Sequence, residues 1–164
     1  EKIQKFIVYF HSHGSCRQEG RFLLNSACSR NSNMCLVDMR ASGESQGQFC
    51  TLGIKESLDI FHILNELKSL FKCRTVLLYG RSMGAASVMK FIVERKKGKG
   101  NSDKTLPRVE GVVLDSPYFT VKKFFFNFVR SRYFGFITFL FWIFNNPKND
   151  NSTGLDNRKF VLEA

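Results

Sequence analysis

Residues 75–87 read TVLLYGRSMGAAS. The first five are β-branched, aliphatic or aromatic, and their length suits a buried strand. The last residues are small and suit the start of a helix. Between them stands Gly80-Arg-Ser-Met-Gly84. A Gly-x-Ser-x-Gly joint from strand to helix is a tight turn that strains the serine backbone. Small residues on either side avoid a clash, and the hydroxyl is held up at the sheet edge. Ser82 then sits at a helix N-terminus, where free N–H groups favour a developing negative charge. The plainer alternative is that Ser82 only caps the helix. A phosphate loop is excluded, because GxxxxGK[ST] does not occur.

The pattern repeats on both sides of this joint. KFIVYF, residues 5–10, reads as a strand ending at His11-Ser-His-Gly14. Residues 16–31 read as a helix with Phe22, Leu23 and Ala27 on one side. MCLVDM, residues 34–39, is the next strand, and a Gly/Ser-rich loop follows. Residues 54–72 predict a helix whose apolar stripe is Ile54, Leu58, Phe61, Leu64, Leu67 and Phe71. Residues 82–96 predict another helix. Residues 109–114 predict a strand ending at Asp115-Ser-Pro117. Such alternation implies an α/β fold, a mostly parallel sheet flanked by helices. The polar stretches HSHGS, DMRASGESQG, GRSMG and DSP fall at strand carboxyl ends, where such sheets collect their chemistry.

The 164 residues suit one domain, and 43% hydrophobic content is too high for disorder. The formal charge of +11 would attract phosphate-rich partners. Its cations concentrate only in residues 94–104 and 122–132. The first cluster is interleaved with Gly and Ser and lacks aromatics, so it reads as a solvated loop and no nucleic-acid partner is expected. Five cysteines, an odd number without a CxxC pair, exclude a zinc ribbon and suit free thiols in a reducing compartment. No metal site is expected. Ten of the 18 phenylalanines fall in residues 118–146, which read as a Phe-rich lid or cap segment. Its uncharged part, residues 133–144, is about half the length a membrane-spanning helix needs. An aromatic and basic face over residues 121–144 is an alternative, giving peripheral membrane contact to a cytoplasmic protein.

Acyl-transfer chemistry at Ser82 needs two N–H donors for an oxyanion. One would come from Met83. The other would come from the loop after the first strand, where Gly14 would turn the backbone and aim the Ser15 N–H at the pocket. His11 and His13 would brace that loop.

HSHGSCR, DMRASGESQG, GRSMGAAS and VVLDSP occur in this order. Together they resemble the α/β-hydrolase superfamily, and most of all its serine-aminopeptidase-like and monoacylglycerol-lipase-like branch. The resemblance covers about residues 5–120. Where an Arg-Gly-x form is common in the second motif, this chain has Arg40-Ala-Ser42. The resemblance implies Ser82 as nucleophile and the Ser15 and Met83 N–H groups as oxyanion hole. It implies that Asp38 and Arg40 brace the loop beside the pocket. It also implies hydrolysis of an ester, thioester or amide, with no cofactor and a small acyl compound as partner. The Phe-rich lid points to a lipid-like acyl chain.

One part of the machinery is missing. In this superfamily the order is serine, then acid, then histidine. The histidines here are His11, His13 and His62, all upstream of Ser82. His62 reads as a partly buried structural residue. Asp115 is either a substitute acid or a brace of the Asp-Ser-Pro turn. The chain therefore reads as an incomplete N-terminal portion of a serine hydrolase, with acid and base beyond it. The competing reading is a catalytically inactive scaffold or a membrane-associated lipid-binding protein.

Overall fold

The computed structural model describes residues 4–97 and 106–118. Residues 119–146 of the segment read as a lid, with the stretch 121–144 read as an alternative membrane contact, lie outside these residues, as does most of the basic run 94–104. All of the elements below belong to the compact unit that ends at Pro117.

Four strands form one parallel sheet: β1 (Lys5–Phe10), β2 (Asn33–Val37), β3 (Thr75–Arg81) and β4 (Arg108–Asp115). Their order is β2-β1-β3-β4. β1 pairs with β2 from Phe6↔Asn33 to Phe10↔Val37, and with β3 from Lys5↔Thr75 to Phe10↔Gly80. The β3–β4 register shifts between Val76 and Leu77, then ends at Arg81↔Asp115. The carboxyl ends of β1, β3 and β4 thus lie side by side. The predicted α/β architecture is the observed one.

Successive strand residues face opposite sides, and β1 shows what covers each. Tyr9 meets Gly20 and Phe22 of the segment that follows β1. Phe10 meets Gly84 of α3 (Met83–Lys96). Both faces of the sheet centre therefore carry helical cover, and Val8, Tyr9 and Phe10 are wholly buried.

The predicted helix over residues 16–31 is in two parts, a 3-10 helix (Arg17–Leu23) and a short α1 (Leu24–Ser29). Close packing explains the tighter winding, since Gly20 is pressed against the Tyr9 ring and Leu36 with no room for a Cβ. Phe22 is 56% exposed, so it does not join Ala27 in the core.

In α2 (Glu56–Phe71) the buried line is Ser57, Ile60, Leu64 and Leu67. The predicted stripe shares only Leu64 and Leu67 with it; Ile54, Leu58 and Phe71 are exposed. The helix is rotated from the predicted orientation because its N-terminus is fixed by Glu56. That carboxylate is fully buried and accepts from Thr51 N (2.6 Å), Thr51 Oγ1 (2.6 Å) and Gly53 N (2.8 Å). Burial alone would raise the Glu56 pKa. The Thr51 and Gly53 donors outweigh it and hold the group below the usual carboxylate range. Phe61 reaches α3 by an edge contact with Phe91, with ring centroids 4.6 Å apart.

Candidate active site

α3 begins directly at the end of β3, and Ser82 is the hinge between them, at φ 49° and ψ −107°. A serine rarely adopts a positive φ, and such strain costs about 1–3 kcal/mol. The turn is held from two sides. Ser82 N–H donates to Asp115 O at the end of β4 (2.8 Å), and Ala86 N–H donates back to Ser82 O (3.0 Å).

Gly80 and Gly84 are required by space. A Cβ on Gly80 would lie 2.5 Å from the Gly84 carbonyl carbon and 2.6 Å from Ala85 N. A Cβ on Gly84 would overlap the Phe10 carbonyl. The helix can therefore start this close to β1 and β3 only if both positions lack a side chain. Met83, Ala85, Ala86 and Ser87 are buried behind the turn. The Met83 N–H is one of the first N–H groups of α3, which have no partner within the helix.

The loop after β1 is built around Glu19. Its carboxylate accepts from Ser12 N (2.8 Å) and Ser12 Oγ (3.0 Å) and pairs with Arg81 (3.1 Å). Burial would raise the Glu19 pKa, but Ser12, Ser15 and Arg81 together hold it lower. Arg81 also approaches Asp115 at 3.4 Å. Arg81 is the variable residue just before the serine, so Glu19, Arg81 and Asp115 link three strand ends around Ser82. Nearby, burial and the Glu19 charge push the Tyr9 phenol up to about 12, so it is neutral at physiological pH. Neither Glu19 nor Arg81 stood out in the sequence. The only local hint was a cation inside the Gly-x-Ser-x-Gly motif.

Gly14 sits at φ 76° in open space, so it is backbone conformation, not crowding, that calls for glycine there. The Ser15 N–H does not stand free, however. It closes the turn onto Ser12 O at 3.3 Å, a long and therefore weak bond.

Asp38 organises the next loop. Arg17 N donates to Oδ1 (2.6 Å), Glu44 N donates to Oδ2 (3.0 Å), and the Arg17 guanidinium pairs with the carboxylate. Burial acts upward on its pKa, and these donors more than reverse it. Arg40 forks onto Asp59 of α2, with Nε donating to Oδ2 at 2.7 Å. The two residues thus tie the loop to opposite neighbours. Asp115, at the end of β4, accepts from Ser116 Oγ (2.9 Å).

All three histidines lie among the described residues, and none bonds Ser82. His11 is fully buried; its Nδ1 bonds Ser12 O (2.7 Å) and its Nε2 accepts from Met39 N (3.0 Å). His13 Nδ1 lies 3.2 Å from Cys50 Sγ. His62 is exposed on α2, not partly buried, because the rotation of the helix turns it outward. Among the described residues no hydrogen bond involves Ser82 Oγ, and no group of three or more His, Cys, Asp or Glu could hold a metal ion. No described helix is long and apolar enough to cross a membrane. A groove of about 1020 Å³ runs along β2 and α2, past Asp38, Arg40 and His62, and Ser82 does not line it.

This arrangement of sheet, turn and helix is that of the α/β-hydrolase fold. The chain is similar to the Pyrococcus furiosus esterase Pf2001, with 24% identity and a TM-score of 0.57 over 79% of this chain and 54% of that one. It is similar to a lipase-esterase related protein from Clostridium acetobutylicum, with 20% identity and a TM-score of 0.56 over 90% and 57%. It is also similar to an esterase from Exiguobacterium antarcticum, with 19% identity and a TM-score of 0.52 over 71% and 39%. The chain thus spans about half the length of these solved proteins or less. No protein-family model and no curated protein matches it.

Proposed function

We propose that these residues are the nucleophile-bearing part of a serine hydrolase that cleaves an ester, thioester or amide. The observation that carries this reading is Ser82, a non-glycine residue held at φ 49° between two sterically required glycines at the head of α3. Strain of this kind persists where the surrounding structure over-determines it, and such positions cluster at active sites. The structural neighbours named as esterases support the same class.

In this mechanism Ser82 Oγ attacks the acyl carbonyl, and the leaving group departs from a tetrahedral intermediate. The Met83 N–H receives the oxyanion. The Ser15 N–H would be the second donor, exchanging its 3.3 Å bond to Ser12 for a shorter one to the charged oxygen. Glu19 and Arg81 hold the two donor segments in register. Water then releases the acyl group. The proton acceptor for Ser82 is not His11, His13 or His62, and the reading places the histidine and its acid in sequence beyond these residues. A lipid-like acyl chain is the proposed substrate class, on account of the phenylalanine-rich residues 118–146. The cytoplasm, with membrane contact through residues 121–144, is the proposed setting.

The test is a fluorophosphonate probe applied to the full-length protein, with peptide mapping. Labelling at Ser82, and loss of p-nitrophenyl ester hydrolysis in Ser82→Ala, are the expected results. Absence of labelling, with ester turnover equal in the two proteins, would overturn the proposal in favour of an inactive scaffold.

A further inference from the structure

The Cys50–His13 pair is not used in the mechanism above. Cys50 lies in the long loop after β2, and His13 in the loop after β1. The fold brings Cys50 Sγ to 3.2 Å from His13 Nδ1 across 37 residues of chain. Among the chain's five cysteines, no other has an imidazole partner, and all five are free thiols. Two of the others are held in the thiol form: burial pushes Cys35 up to about 11 and raises Cys73. Cys28 is exposed, which makes it the reference for a surface thiol without such a partner. Cys50 is partly accessible and His13 is exposed, so a small reagent can reach the sulfur.

A thiol within hydrogen-bond reach of a base is the arrangement that activates sulfur nucleophiles, because the thiolate is the reacting form. We propose that Cys50 is a peroxide-reactive thiol whose proton is accepted by His13. With Nε2 protonated, His13 Nδ1 is the acceptor for the S–H. The sulfur attacks one oxygen of hydrogen peroxide, forming an S–O bond as the O–O bond breaks. The departing hydroxide takes the proton from the imidazolium and leaves as water. Cysteine is oxidised to the sulfenic acid, and the peroxide is reduced.

The experiment treats the protein with substoichiometric hydrogen peroxide, traps sulfenic acid with dimedone and quantifies each cysteine by peptide mass spectrometry. Iodoacetamide labelling rates are measured in parallel. Cys50 is expected to exceed Cys28 by about tenfold in both assays, because Cys50 has an imidazole within reach to take its proton during attack. His13→Asn is expected to bring Cys50 down to the Cys28 level while Cys28 is unchanged. Cys73 is buried and reports folding, because it labels only if the variant opens; His13→Gln then replaces His13→Asn. Equal labelling of Cys50 and Cys28 in the wild type overturns the proposal without any variant. So does a folded His13 variant in which Cys50 reacts as before.

Discussion

The α-carbon of Gly84 rests against the carbonyl group of Phe10, so closely that a β-carbon there would overlap the carbonyl oxygen. Both partners are backbone, one at the start of α3 and one at the end of β1, so neither can swing aside as a side chain does. Gly84→Ala must push the helix off the sheet. It is expected to destabilise the protein by about 1–3 kcal/mol or more, the usual cost of overpacking. It should also weaken fluorophosphonate labelling of Ser82. Chemical denaturation and probe labelling check the two effects, and a variant as stable as the wild type would mean that the contact is softer than it looks.

Ser82 makes the opposite prediction. Its φ of 49° suits glycine better than any residue with a side chain. Ser82→Gly is therefore expected to raise stability by about 1 kcal/mol through relief of strain, while abolishing any hydrolysis. Ser82→Ala keeps the strain and should unfold near the wild-type midpoint. If Ser82→Gly is no more stable than Ser82→Ala, the turn stores no strain.

Glu19 is expected to be a positioning residue. Glu19→Gln keeps the shape but weakens the pairing with Arg81 and the two bonds from Ser12. If the proposed hydrolysis holds, loosening the Ser12–Ser15 loop by a fraction of an ångström should lower kcat of the full-length protein by about tenfold or more, with KM nearly unchanged. A fall in stability with kcat intact would make Glu19 merely structural.

The joint at residues 75–87 made the succession of strand, turn and helix readable, because a Gly-x-Ser-x-Gly motif is informative when an apolar strand precedes it and small helix-forming residues follow. β1, β3 and α3 were legible for the same reason: uninterrupted apolar runs of strand length, then small residues. The rotation of α2 was not legible. Ile54, Leu58 and Phe71 make a good apolar stripe on paper, but the buried Glu56 carboxylate, which binds Thr51 and Gly53, decides which face turns inward. Periodicity counts apolar residues and is blind to a buried acid satisfied by its own loop. The link from Glu19 to Arg81 spans 62 residues, and the Cys50–His13 contact spans 37, so no local pattern could announce either.

Glu56 also sets an acid sensitivity. Its folded pKa is depressed, as are those of Glu19 and Asp38. A depressed carboxylate contributes stability that is fully present above its unfolded value, about 4.3 for Glu and 3.9 for Asp. That contribution is lost as pH falls through the lower folded value. The melting temperature is therefore expected to hold above about pH 5 and to fall as pH drops below the unfolded carboxylate values of about 4. Glu56→Gln cannot accept all three bonds and should lose about 1–3 kcal/mol at pH 6. Its acid limb should be shallower than that of the wild type. Parallel acid limbs would mean that the transition is governed by other carboxylates.

The two stripes of α2 can be told apart directly. Leu64 is fully buried and Leu58 is 52% exposed, although both belong to the stripe read from the sequence. Leu64→Ala removes apolar surface from between the helix and its neighbours and leaves a cavity. It is expected to cost about 2–5 kcal/mol. Leu58→Ala removes a side chain that is half in water and gains helix propensity, so it should change stability by less than about 0.5 kcal/mol. Urea titrations of the two variants give the answer as a difference, which is less sensitive to the unfolded reference than either value alone. Equal losses would mean that something covers Leu58. A larger loss at Leu58 would restore the orientation suggested by periodicity and remove the steering role argued here for Glu56.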